Sequence, residues 1–301
     1  MTGRRIVIAG AGGFIGRYLG ERFRAAGDTV ATVGRSDADA SWADPGAIGR
    51  LVDGSDILIN LAGKSVNCRY NARNKAEIFR SRLETTAALG DAVRAAKNPP
   101  ALWFNASTAT IYRHADDRPQ TDEDGEIGTG FSVEVATSWE QEFASHARDG
   151  VRQVALRMAI VLGDGSALAP LLMLTRVGLG GPQYGGKTKG ALQRFSWVHI
   201  GDVYRAIEFI AADDAVAGPV NVASPHPVTN RELMATLRRV LGVRIALPLF
   251  EWMLRLGAFA IRTEPELLLK SRWVVPSLLL REGFTFEFPD LPSALRDIVG
   301  R

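Results

Sequence analysis

Three glycines at even spacing, Gly10, Gly13 and Gly16, stand between the apolar run Ile6–Ala9 and an amphipathic stretch that begins at Phe14. Glycine permits a tight turn, lets another group approach the backbone, and allows a helix to lie close to a strand. In this context Gly-x-x-Gly-x-x-Gly predicts a turn that receives a pyrophosphate. The unpaired N–H groups of Phe14, Ile15 and Gly16 would open a helix toward it, at the end where the helix dipole favours negative charge. Such a turn binds a dinucleotide; the reacting groups have to come from elsewhere in the chain.

Which dinucleotide depends on the end of the next apolar run, Thr29–Val33. An NAD site places an acid there for the ribose 2′-hydroxyl. This chain has Gly34-Arg35-Ser36. Arg35 can pair with a 2′-phosphate and Ser36 can add a hydrogen bond, which favours NADP(H). The plain alternative for Arg35 is a solvated arginine, and Asp37 and Asp39 keep NAD open as the other cofactor. Asp44 stands where it can accept from the adenine amino group. Leu61, Ala62 and Gly63 close the run Ile57–Ala62, where backbone would pass the adenosine ribose and the diphosphate.

These residues need a frame, and apolar runs alternate with helical patterns through the first two-thirds of the chain. Thr29–Val33, Ile57–Ala62, Leu102–Ala106, Val154–Val161 and Val220–Ala223 read as strands. Phe14–Ala26, Asn74–Lys97, the stretch marked by Val135, Trp139 and Phe143, and Asp202–Ala212 read as helices. The alternation specifies an α/β fold, a Rossmann-like doubly wound parallel sheet with helices on both faces. Residues 163–196 are rich in glycine and form a long loop region contributing to the substrate side. Thr229 and Glu232 form a capping box ahead of Leu233, Leu237 and Leu241. Residues 1–222 are read as the NADP-binding domain and 223–301 as a smaller C-terminal substrate lobe, with a short aromatic strand at Phe284–Phe288.

Composition removes other classes. The 301 residues carry a formal charge of only +3, with cations interspersed among acids, so no nucleic-acid partner is expected. Cys68 is the single cysteine, which excludes an intramolecular disulfide and a multi-thiolate metal site. No His/Cys/Asp/Glu cluster has ligand spacing, so no metal is expected. No apolar run reaches the ~18 residues of a membrane span, and the first residues lack a signal-peptide core. A cytoplasmic protein is the resulting expectation.

Several further segments follow in one order: Asn60-Leu61-Ala62-Gly63, Ser81-Arg82, Leu156-Arg157, Val161-Leu162-Gly163, Gly178-Leu179-Gly180-Gly181-Pro182, Ser196-Trp197-Val198-His199-Ile200 with Asp202, and Asn221-Val222-Ala223-Ser224-Pro225. Together with Gly10 to Gly16 they resemble the extended short-chain dehydrogenase/reductases. More narrowly, they resemble the atypical, nucleoside-diphosphate-sugar epimerase-like subgroup. Val275-Pro276 and Gly283-Phe284 resemble that subgroup's C-terminal domain of unknown function. The resemblance implies a homodimer through the helices near Asn74–Lys97 and Ser132–Arg148.

Chemistry in the wider family uses Tyr-x-x-x-Lys on one helical face, the lysine lowering the tyrosine pKa and holding the nicotinamide ribose. None of the five tyrosines here is followed by a lysine at that spacing. Alignment ahead of Trp139-Glu140 puts Ser132 at the tyrosine's place and Ala136 at the lysine's. Ser107 or Thr108, after a strand's carboxyl end, matches the family's substrate-binding hydroxyl, and Tyr112 is the leading spare phenol. Ser107 and Tyr112 are therefore the catalytic candidates, each with a purely structural alternative. Arg157 is read either as orienting a loop over the nicotinamide or as an ion pair at the sheet edge. His199 is expected to be structural, with Asp202 as a helix N-cap. Lys187, Lys189 and Arg194 are either contacts for substrate phosphates or a solvated cationic loop. The functional expectation is an NADP(H)-binding, epimerase-like oxidoreductase acting on a small carbonyl, alcohol or nucleotide-sugar-like molecule. The alternative is a non-catalytic NADP(H)-binding sensor or scaffold.

Overall fold

Strands that are apolar on both sides need cover on both faces, and Ile57, Leu58 and Ile59 are all buried. The computed structural model describes residues 3–165, 168–184, 192–244, 246–250 and 271–300. Its strands are β1 (Arg5–Ala9), β2 (Thr29–Gly34), β3 (Ala40–Ser41), β4 (Ile57–Asn60), β5 (Leu102–Thr108), β6 (Arg152–Met158), β7 (Ile160–Leu162), β8 (Gln183–Tyr184), β9 (Arg194–Phe195), β10 (Trp197–His199), β11 (Gly218–Val222), β12 (Val228–Thr229) and β13 (Leu249–Phe250). Seven of them form one sheet in the order β11-β6-β5-β4-β1-β2-β3, parallel throughout. The order reverses between β1 and β4, and that switch point opens a crevice at the carboxyl ends of the strands.

Helices α1 (Phe14–Ala25), α2 (Pro45–Val52), α3 (Ala72–Ala95), α4 (Phe131–Ser145), α5 (Ala169–Arg176), α6 (Ile200–Ala212) and α7 (Asn230–Val240) follow in chain order. On one face Leu19 and Phe23 of α1 and Val203, Ile207 and Ile210 of α6 pack over Ile6, Ile8 and Phe104. On the other, Ile48, Leu89, Val93 and Phe143 from α2, α3 and α4 pack over Val7, Leu58 and Trp103. The capping box at Thr229 and Glu232 is present at the start of α7. Leu233 and Leu237 of α7 meet Leu291 and Leu295 of the C-terminal helix Leu291–Gly300 in a separate apolar cluster.

Four local expectations are corrected. Residues 163–196 are not loop throughout: α5, β8 and β9 lie among them. The run Val154–Val161 is two strands: β6 stays in the large sheet, while β7 pairs with β10. The change occurs at Ala159, whose N–H donates to Val222 O at 3.0 Å. Asp202 is not the N-cap of α6; the Nδ1 of His199 takes that part, accepting from the Gly201 N–H at 3.1 Å. Phe284–Phe288 is not a strand. Phe284 and Phe286 bury their rings in the first core, and the backbone that follows needs acceptors. Asp202, fully buried, supplies them: its carboxylate accepts from the Glu287 and Phe288 N–H groups at 2.8 and 2.9 Å. Burial raises the pKa of this carboxyl, and the two amides partly oppose the shift. Among the described residues no helix is long and apolar enough to cross a membrane, and no group of His, Cys, Asp or Glu could hold a metal ion.

Asp202→Ala leaves two amides without their acceptor and should destabilise the fold by about 2 kcal/mol or more. Urea unfolding at equilibrium measures this; a loss under about 0.5 kcal/mol, the range of neutral surface changes, would contradict the pinning role.

Candidate functional site

The glycine turn fits its expected use sterically. Gly10 has φ +81°, and a Cβ there would lie 2.8 Å from Ala62 N. A Cβ on Gly16 would lie 2.5 Å from Gly10 O and 2.7 Å from the Ala11 Cα. Both clashes are with backbone, so no side chain can give way. Gly13 is the N-cap of α1, with no side-chain cap and no acid in the first turn. The Phe14, Ile15 and Gly16 N–H groups find no acceptor among the described residues. A helix start left open in this way presents free N–H donors and the positive end of the helix dipole, the arrangement that suits an anion.

A cavity of about 640 Å³ runs beside it, between α1 and the β2–β3 connection, with Gly12, Arg17, Arg24, Asp37 and Asp39 in its walls. Arg35 and Ser36 are exposed at the end of β2. Asp39 is tied back to Thr32, accepting from both its N–H and its hydroxyl at 2.8 Å, and these bonds lower its pKa. Asp44 caps α2, accepting from the Ala47 N–H at 2.9 Å. Across the crevice the Leu61 N–H donates to Ala9 O and the Ala62 N–H to Asn60 Oδ1 at 3.0 Å. Gly63 is exposed.

The remaining site residues lie on the face of the sheet covered by α3 and α4. Ser107, Arg157 and Asn221 are register partners on β5, β6 and β11, so their side chains share a row on one face. Beneath the helices this row needs polar partners. Glu140 of α4 takes the Ser107 hydroxyl at 2.5 Å and the Arg157 Nε and Nη2 at 2.9 and 2.7 Å. Arg157 Nη1 donates to the Tyr112 hydroxyl at 2.9 Å, and that hydroxyl donates to Asn221 Oδ1 at 2.8 Å. Ser107, Tyr112 and Asn221 are buried. Burial would lower the Arg157 pKa, but the bonds and charge of Glu140 outweigh it and the net shift is upward. Burial raises the Tyr112 pKa despite the guanidinium beside it. A second polar group continues the face: Asn60 Nδ2 donates to Asn105 Oδ1 at 2.7 Å and to Thr86 Oγ1 at 3.0 Å, and the Trp139 indole N–H also donates to Thr86.

Ser107, Tyr112 and Arg157 are thus brought together, through Glu140, which has no local sequence signal of its own. Its only hint is its position one turn after Ala136. Tyr112 has the cationic neighbour that the sequence did not supply, because β6 places Arg157 there. On α4 the Ser132 hydroxyl oxygen is buried without a hydrogen-bond partner among the described residues. Ala136 is packed among Ala109, Ile111, Tyr112, Ala159 and Ala223, so alanines fill the place of a lysine. Arg194 lies over the Trp273 ring at 4.4 Å. Lys187 and Lys189 lie outside the described residues.

Residues 6–223 match the NAD-dependent epimerase/dehydratase family, and residues 249–298 match a domain of unknown function, DUF1731. The human epimerase family protein SDR39U1 is 33% identical over 302 residues, covering 98% of this chain and 99% of the relative. The crystal structure of human SDR39U1 (isoform 2) with NADPH superposes with a TM-score of 0.88 at 30% identity, covering 99% of each chain. A nucleoside-diphosphate sugar epimerase from Corynebacterium glutamicum superposes with a TM-score of 0.78 at 26% identity, covering 99% of this chain and 58% of the other.

Glu140→Ala would leave the Arg157 guanidinium buried and unpaired, since the two side chains are only 14% and 11% exposed. The expected cost is about 3–5 kcal/mol by chemical denaturation. The double variant Glu140→Ala/Arg157→Met should regain most of it; a double variant as unstable as the single one would show that the pair is not what matters.

Proposed function

This chain belongs to the NAD-dependent epimerase/dehydratase family, and from that premise we propose that it binds NADP(H) and is an epimerase-like oxidoreductase of a carbonyl, alcohol or nucleotide-sugar-like substrate. The observation that carries this reading is the open start of α1 over a turn where Gly10 and Gly16 admit no side chain. A relative that matches over the full length was crystallised with NADPH, which supports the phosphorylated cofactor. A bound nicotinamide would supply or take up hydride.

In this reading the chain's own groups bind and orient. The amides of Phe14, Ile15 and Gly16 receive the diphosphate, with Leu61, Ala62 and Gly63 as the opposite wall. Arg35 and Ser36 meet the 2′-phosphate. Asp39 has Oδ2 engaged by Thr32, which leaves Oδ1 as its one oxygen for a ribose hydroxyl. Asp44 has Oδ1 committed to a helix cap, which leaves Oδ2 as its oxygen for adenine. Ser107, Tyr112 and Arg157 hold the floor of the site beneath α4. Tyr112 is only 2% exposed, so a proton at its hydroxyl reaches a substrate only if the surrounding contacts open.

That burial, with Ser132 and Ala136 in place of a tyrosine and lysine, favours one second reading: a protein that binds NADP(H) and senses it without turning it over. The two readings share the cofactor and differ in chemistry. Assays of NADPH oxidation with carbonyls, of NADP⁺ reduction with alcohols and of product formation from nucleotide sugars separate them, since tight binding with no turnover in any of these leaves the sensor.

Cofactor choice has its own test. Titration of intrinsic tryptophan fluorescence should show tighter binding of NADPH than of NADH. Arg35→Asp should weaken NADPH about tenfold or more, the scale of a lost charge-assisted bond, and leave NADH nearly unchanged. Equal changes for both cofactors would remove Arg35 from the 2′-phosphate site.

A further inference from the structure

Strand β11 is at the edge of the large sheet, and an edge has to be covered or blunted. The chain from Ser271 to Arg281 forms a strap beside it. The Gln120 N–H donates to Trp273 O at 2.7 Å, and Gln120 O accepts from the Val275 N–H at 3.1 Å. From β11 itself, Asn221 Nδ2 donates to Val275 O at 3.1 Å. After Pro276 the strap turns into the short helix Ser277–Arg281, whose Leu279 is buried in the first core. Asp122 fixes that turn. Its Oδ2 accepts from the Leu278 N–H at 3.0 Å and its Oδ1 from the Asn221 N–H. One carboxyl thus joins the strap to the sheet edge.

The Ser277 hydroxyl then poses a question of proton count. Its oxygen accepts from the Asp122 N–H at 3.0 Å. It also lies 2.8 Å from Asp122 Oδ2 and 2.7 Å from Glu123 Oε2. A hydroxyl has one proton to donate, and an ionised carboxylate has none. With both carboxyls ionised, one of these two contacts would set lone pair against lone pair. One further proton completes the set. Glu123 is the more exposed of the two, and its bonds from Ser277 and Arg281 lower its pKa. Burial raises the pKa of Asp122 against the pull of the Asn221 and Leu278 amides. The proton therefore belongs on Asp122, which donates to Ser277 Oγ, while the hydroxyl donates onward to Glu123. Of the other charged groups nearby, Asp124 and Glu126 on the same loop are held by Arg118. Across Asn221 stands Tyr112, with Arg157 behind it.

We propose that Asp122 is a proton-held latch: the strap 271–281 stays docked on β11 while Asp122 keeps its proton, and is released as pH rises and the proton leaves. The direction follows from linkage. Once released, the carboxyl ionises near the ordinary aspartate value of ~3.9; docked, it ionises higher. The contribution of the latch is complete below the ordinary value, declines between the two values, and is lost above the docked one. Release also removes Asp122 and Val275 O from Asn221, the residue that accepts the Tyr112 hydroxyl. The state of the strap thereby reaches the polar row beneath α4.

Hydrogen exchange of the full chain, read by mass spectrometry on peptides covering 271–281 and corrected at each pH for the intrinsic exchange rate, tests the latch. With rising pH the wild type should lose protection there by up to about tenfold per pH unit, the slope of one linked proton, and then level off. Peptides of α3 should not follow. Asp122→Asn places an N–H donor where the proton was, so it should retain the clasp and flatten the profile. Glu123→Gln removes the second charge and should level off at a lower pH than the wild type. A flat wild-type profile, or an Asp122→Asn variant with the wild-type slope, overturns the latch and leaves Asp122 as a plain acceptor for two amides. Should Asp122→Asn fail to fold, the wild-type and Glu123→Gln profiles decide, and levelling at the same pH overturns it.

Discussion

A buried guanidinium has to be matched, and the match between Arg157 and Glu140 determines where α4 can lie. Arg157 cannot leave its strand, because β6 is paired on both sides, with β5 and with β11. Glu140 must come to it, which sets the rotation and height of α4 over the sheet. The same contact extends sideways to Ser107 and, through Tyr112, to Asn221. Asn221 in turn binds Val275 O through Nδ2 and Asp122 through its N–H, and Asp122 holds Ser277 and Leu278. One polar network therefore ties the covering helix, three strands and the C-terminal segment together. Buried networks of this kind are costly when incomplete and specify a single arrangement when complete.

The opposite wall of the crevice obeys a steric constraint instead of an electrostatic one. Helix α1 can direct free amides at a ligand only if its first turn lies against β1 and the end of β4. Gly10 and Gly16 make that approach feasible, and Asn60 holds the β4 end by accepting from the Ala62 amide. The two walls meet at Asn60, whose Nδ2 belongs to the polar face under α3 and α4. Positions of the cofactor turn and of the helix α4 are thus coupled through one asparagine side chain.

Local rules account for the parts that could be read from the sequence. Gly10, Gly13 and Gly16 sit between a strand and a helix, and each feature is visible within a dozen residues. The strand–helix alternation and the capping box at Thr229 and Glu232 are local in the same sense. What could not be read depends on residues far apart in the chain. Glu140 matters because β6 delivers Arg157 to it, and Asp202 because Glu287 and Phe288 arrive 85 and 86 residues later. Phe284–Phe288 alternates like a strand, but the Phe284 and Phe286 rings are buried in the core that includes α6 and the Glu287 and Phe288 amides are satisfied by a side chain. The break at Ala159 is equally silent in composition, since the apolar run continues from Met158 through Ala159 into β7.

Loss of the tyrosine and lysine from α4 reads differently once packing is considered. Ala136 does not leave a hole: Ala109, Ala159 and Ala223 close around it, and a lysine there would have to displace that layer. The helix lies close on the sheet, and Glu140 one turn later makes the polar contact with β5 and β6. A site with this geometry cannot activate a phenol from α4, whatever binds in the crevice. At the end of β4 the Arg82 guanidinium lies against Gly63 and donates to Lys64 O and Ile78 O. The start of α1 is thus left open, while the polar groups beneath α4 lie on β5 and β6 and are gathered by Glu140.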